Sequence, residues 1–168
     1  MSESSSIVQA SERNSLNGFL DLYRGVIERK VDGLSRADAS KALTPTGVSS
    51  LGIVKHLGWV EYYWFRHCFA GEKVPPPPRE GNDNAIQFRI GSDETVDSIL
   101  DFYRSECDHS REVAAATDSL DALSARDNPY FGKVSLRWIL IHMVEETARH
   151  AGHLDIMREM IDGKTGYL

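Results

Sequence analysis

Leu136, Leu140, Met143, Thr147, His150, Leu154, Met157 and Ile161 follow one another at spacings of 4-3-4-3-4-3-4 without a break. Alternating steps of three and four keep side chains on one stripe of a helix, so this run is the seam of a bundle or coiled coil and cannot be a strand. A seam of that length has to be covered by other helices. The spacing predicts a helix from about Ser135 to Ile161, ended by Asp162-Gly163.

The rest of the chain supplies the covering helices. Leu16, Leu20, Tyr23 and Ile27 repeat the 4-3-4 spacing and predict a helix from Ser15 to about Val31, followed by a short helical turn at Arg36–Leu43 that Pro45 and Gly47 halt. A third helix is expected from Ser49 or Ser50 to about Ala70, with Gly71 at its end and the stripe Ile53, His56, Val60, Tyr63 and His67 facing inward. Pro75-Pro76-Pro77-Pro78 and the polar stretch to Gly91 form a long extended connection, after which Ser92 and Asp93 are the expected caps of a helix carrying Val96, Leu100, Tyr103 and Cys107. The expected architecture is all-α, a four-helix bundle with a long crossover connection between its second and third long helices, long enough to allow a crossover between distant helices. Residues 1–12 are polar and Ser-rich and read as a disordered N-terminal arm; residues 13–168 form the one domain that a chain of 168 residues predicts.

Charge narrows the partners. Nineteen Lys and Arg against 25 Asp and Glu give a net charge of −6, with the basic residues scattered, which argues against nucleic acid and anionic membranes. No stretch approaches the roughly 20 apolar residues of a membrane span, and the opening residues lack the pattern of a signal peptide, so a cytoplasmic protein is expected. In a reducing compartment Cys68 and Cys107 stay thiols, read here as buried structural residues.

The seam holds one residue that does not belong in an apolar core. His150 must find a partner there or leave a ring nitrogen unsatisfied. Glu146 stands four residues earlier, about 6 Å along the same face, and His56 points inward from another helix. Two inward imidazoles and a carboxylate are a common way for bundles to build a metal site, with a fourth position left to water or substrate. A core histidine hydrogen-bonded to a buried glutamate would produce the same pattern. His153 is the substitute ligand should Glu146 turn away, or else a polar residue at the bundle mouth or a subunit contact. His142, about 12 Å from His150 along the axis, is too far to share a first shell, and His67 and His109 read as surface or bundle-end residues. Phosphate-binding glycine loops, nucleophile elbows and zinc-finger cysteine pairs are missing from the sequence.

Gly52-Ile53-Val54-Lys55-His56-Leu57-Gly58-Trp59-Val60-Glu61, then Tyr63-Trp64-Phe65, together with the run from Glu145 to Ile156, resemble the DinB-like superfamily of bundle metalloproteins, and most of all its actinobacterial branch of mycothiol S-transferases. The resemblance spans nearly the whole chain to Gly163. It implies one divalent metal, zinc or nickel, held by three side chains. Many members place a His-x-x-x-His pair on the last helix; here Glu146 takes the first place, which is similar to the His/Glu/His set of mycothiol-dependent maleylpyruvate isomerase. Carried over, the ligands are His56, Glu146 and His150. The implied activity is metal-dependent transfer of a low-molecular-weight thiol, mycothiol, to a small electrophile, or thiol-assisted isomerisation. The alternative is a stress-linked bundle that binds metal or ligand without turnover. Expected partners are the thiol and a small-molecule substrate, and self-association into a homodimer is left open.

Overall fold

The computed structural model describes residues 10–81 and 83–166. Residues 1–9, most of the predicted arm, lie outside that range. The described residues are all-α: α1 (Glu12–Val31), a short α2 (Arg36–Ala39), α3 (Ser50–Glu61) continuing into a wider π-helical stretch at Tyr62–Phe69, a 3₁₀ turn at Ala85–Phe88, α4 (Val96–Ala115) and α5 (Leu136–Asp162). No strand occurs among them, only isolated bridges.

Capping side chains explain most boundaries. The hydroxyls of Ser11, Ser49 and Ser135 each accept the backbone N–H three residues on, opening α1, α3 and α5. Helix α1 therefore starts at Glu12, three residues before the predicted Ser15. Gly163 ends α5 in the left-handed conformation, with φ of 74°. Helix α4 is capped by Thr95 rather than Ser92 or Asp93: Thr95 Oγ1 accepts the Ser98 N–H while Ser98 Oγ accepts the Thr95 N–H, so one pair satisfies two otherwise unpaired donors. Ser92 and Asp93 stay in the preceding turn.

The seam of α5 is buried from Leu136 through Met157 and packs along α1. Ion pairs from Arg137 to Glu12 and from Lys30 to Asp155 show that α1 and α5 run parallel. Gly58 meets Phe102, and Cys107 Sγ lies 3.7 Å from Glu61, so α3 and α4 also run parallel and are neighbours. The crossover between distant helices that so long a connection allows is therefore not the one that forms. The connection is long because it returns along the bundle to start α4 beside the head of α3. Gly52 makes the docking of that returning segment possible, since a Cβ there would lie 2.4 Å from the Phe88 carbonyl oxygen.

The second half of the α3 helix departs from its predicted face. In the π-helical stretch the backbone closes one residue wider, as when the Ala70 N–H reaches the Phe65 carbonyl at 2.8 Å. The buried stripe becomes Ile53, Leu57, Glu61, Phe65 and Phe69. Val60, Tyr63 and His67, predicted to face inward, are half-buried instead, and Val60 and Tyr63 form the wall of a cavity. Cys68 and Cys107 are buried free thiols, and burial pushes the Cys107 thiol well above its ordinary range. No helix of the described residues is long and apolar enough to cross a membrane.

Candidate metal centre

Helices α3 and α5 run antiparallel and bring His56 against Glu146 and His150. The ligand-type atoms of these three residues all lie within 4.8 Å of one another. Glu146 Oε1 is 3.4 Å from His56 Nε2 and also 3.4 Å from His150 Nε2. The second carboxylate oxygen is already engaged, accepting from Arg149 Nη1 at 3.1 Å. One oxygen and two ring nitrogens therefore converge on a common point.

The neighbours of the imidazoles decide what those nitrogens can do. Gln87 Nε2 donates to the Pro78 carbonyl, which leaves Gln87 Oε1 to accept from His56 Nδ1 at 3.1 Å. With its proton on Nδ1, His56 in its neutral form would turn a lone pair on Nε2 toward Glu146. His150 is held in a similar way. Its Nδ1 is 3.4 Å from His153 Nδ1, so a proton shared between those two nitrogens would leave His150 Nε2 free to face Glu146. His153 thus touches the ring nitrogen facing away from Glu146 and stands outside the three-residue cluster.

Three electron-pair donors aimed at one another require a cation between them, either a proton or a metal ion. In the bare chain protons fill that role: hydrogen bonds from His150 and then His56 hold the Glu146 carboxyl well below the usual carboxylate range, against the opposing effect of burial. Two nitrogens and one oxygen also suit a divalent ion such as zinc with an open fourth position, and the contacts to Gln87 and His153 are the kind that fix a metal-binding tautomer. The residues present fit a metal.

His56 and Glu146 open on a cavity of about 200 Å³ walled by Trp59, Tyr63 and Trp64 of the α3 helix, with Arg79, Asn128 and Tyr130 from the connections. His150, whose Nε2 meets Glu146, also lines an apolar cavity of about 440 Å³ with Phe88, Met157 and Met160. His142 lies on the wall of the first cavity, stacked on Trp138 with ring centroids 5.2 Å apart, and burial lowers its pKa. His67 accepts from Arg126 at 2.8 Å at the edge of the bundle.

Two residues of the site fall in the segment read from sequence as plain connection. Gln87 orients His56, and Phe88 stacks on the His56 ring at 4.1 Å and 18°. Their signal was a short apolar cluster, Ile86, Phe88 and Ile90, within an otherwise polar stretch.

Parallel pairs of helices joined by a full-length crossover, with this cluster between α3 and α5, define a DinB-like bundle. The chain belongs to the mycothiol S-transferase family, whose model matches residues 15–163. A crystal structure of a conserved protein from Enterococcus faecalis superposes with a TM-score of 0.65 over 92% of this chain and 99% of that chain at 13% sequence identity, a likeness of fold. No curated protein matches the chain.

Proposed function

We propose that this chain is a metal-dependent transferase that joins mycothiol to a small electrophile, with His56, Glu146 and His150 holding one zinc ion. The observation that carries the reading is the lone-pair convergence at Glu146 Oε1, 3.4 Å from each imidazole, beside a cavity of about 200 Å³. Membership of the mycothiol S-transferase family supports the thiol. A bound divalent ion would supply a Lewis acid that lowers the pKa of a thiol placed against it.

The chain's own residues account for the remainder. Gln87 keeps the His56 proton on the far nitrogen, and Arg149 occupies the second oxygen of Glu146, so one carboxylate oxygen is offered to the cavity. Trp59, Tyr63 and Trp64 wall the space where sulfur and electrophile would meet and limit water there. In the transfer the sulfur gives an electron pair to the electrophilic carbon as the bond from that carbon to its leaving group breaks, the leaving group departing with the bonding pair, and the S–H proton is lost to the medium. Neither protein thiol is suited to be the nucleophile, because burial raises both Cys68 and Cys107 and so disfavours the thiolate.

The test is a conjugation assay with mycothiol and a chromogenic electrophile, run on zinc-loaded and chelator-treated protein. Turnover should require the metal and survive in the Cys68→Ser/Cys107→Ser variant. A folded, zinc-loaded cysteine variant without activity would place the nucleophile on the chain and refute the mechanism. Zinc binding without conjugation of any thiol would favour the non-catalytic bundle.

A further inference from the structure

The mouth of the cavity carries two large aromatic side chains that the fold leaves in water. Tyr130 is 76% exposed and Phe131 60% exposed, and both line the cavity that His56 and Glu146 open on. Their exposure is enforced by the loop. Asn128 and Gly132 exchange two backbone hydrogen bonds of 2.9 Å, and Gly132 takes a φ of 66° that closes the turn. The buried Asn128 side chain accepts from the Tyr130 and Phe131 N–H groups and donates to the Tyr63 hydroxyl at 3.0 Å. Phe131 then packs on Trp138, which stacks on His142 of the cavity wall, so a row of rings leads from the mouth to within one helical turn of Glu146.

Size decides what these rings would meet. A cavity of about 200 Å³ is smaller than the roughly 300–1,000 Å³ of sites that enclose a whole drug-sized ligand. Mycothiol is an N-acylated cysteine whose carboxyl is tied through an amide to a glucosamine carrying an inositol. The cavity has room for the cysteinyl arm with its sulfur near Glu146, and the two polyhydroxylated rings are left at the mouth. The apolar C–H face of such a ring covers an aromatic face, and its hydroxyls remain in water or reach nearby amides.

We propose that Tyr130 and Phe131 form a preformed stacking platform for the sugar rings of the thiol, and so determine which thiol the site accepts. This rests on the thiol-transfer reading above. Calorimetry separates the two, with mycothiol and N-acetylcysteine titrated into zinc-loaded protein. The wild type should bind mycothiol roughly tenfold more tightly than N-acetylcysteine, and in Tyr130→Ala/Phe131→Ala that ratio should fall close to one. Glucosaminyl-inositol, which has no sulfur, should compete with mycothiol for the wild type and not for the variant. Tyr130→Phe keeps the ring face and should keep the preference; its loss there would assign the effect to the hydroxyl and overturn stacking. Both residues are exposed, so helicity and melting temperature should stay near wild type. An undiminished preference in the double variant, or equal affinity of the wild type for the two thiols, overturns the platform and leaves thiol transfer standing. A wild type that binds neither thiol refutes thiol transfer itself.

Discussion

Glu61 and Glu146 are both withdrawn from solvent in the same bundle, and they are neutralised in opposite ways. Glu61, 1% exposed, receives a two-pronged contact from Arg24 of α1, with Nε and Nη2 each 2.7 Å from a carboxylate oxygen. Burial opposes the guanidinium's charge, but Glu61 overcomes that and raises the Arg24 pKa, so the guanidinium stays charged. Glu146 has two imidazoles instead, each 3.4 Å away and each able to give up its proton. An arginine fills its carboxylate's needs and leaves nothing for an ion. Histidines in their neutral form leave lone pairs, so the same carboxylate could complete a cation site. The first arrangement ties α1 to α3, and the second holds a place open between α3 and α5.

The comparison breaks most visibly in the metal-free protein. Glu61→Ala removes the two-pronged partner of a buried guanidinium, leaving it paired to Asp21 at 2.9 Å, and should cost up to about 3–5 kcal/mol, whereas Glu146→Ala removes the carboxylate between two histidines and should cost a small fraction of that. Denaturant unfolding of both variants measures the difference. Equal costs would mean the two sites are built alike.

Zinc should reverse the ranking of what each carboxylate is for. An ion that binds only the folded chain stabilises it by about 2.7 kcal/mol at a hundredfold excess over its dissociation constant. The wild type should show a zinc-dependent rise in melting temperature, and Glu146→Ala should show none. A zinc effect that persists without Glu146 would put the ion elsewhere.

Gln87→Ala sharpens the same contrast by freeing the His56 tautomer while leaving all three ligands present. Zinc affinity, read by competition with a chromophoric chelator, should fall about 10- to 100-fold. An unchanged affinity would remove Gln87 from the account.

The smallest expected effect is on acid stability. The Glu146 carboxyl titrates lower in the folded chain than in the unfolded one, held down by His150 and then His56. Its contribution is therefore complete above the unfolded glutamate pKa of about 4.3 and is lost as pH falls through the folded value. In metal-free protein, Glu146→Gln should flatten the fall of unfolding free energy below about pH 4.3. A slope as steep as wild type would mean the carboxylate is not held by the histidines.

Much of this was legible because helical periodicity and capping act locally. Ser135 and Gly163 bound α5 where the pattern placed them, and the seam position of His150 led directly to Glu146 and His56. The π-helical stretch was not legible: a one-residue widening leaves no mark in composition, yet it sends Tyr63 to the cavity and Phe65 to the core. The ion pair of Arg24 and Glu61 had a weak signal, since Arg24 follows Leu20 and Glu61 follows Leu57 by four residues on apolar stripes. Gln87 was hidden for a different reason. Its importance comes from a long-range docking that depends on the missing side chain of Gly52, and spacing along one helix carries no information about a contact to a distant connection.

The central claim is that the Glu146 cluster, and not the Glu61 pair, is a metal site. Elemental analysis of protein dialysed against zinc and freed of loosely bound metal tests it most directly, on wild type, His150→Ala and the Arg24→Leu/Glu61→Leu double variant. The account predicts one zinc per chain in the wild type and in the folded double variant, and none in His150→Ala. A wild type without zinc, or a His150→Ala variant that keeps its full complement, would contradict it.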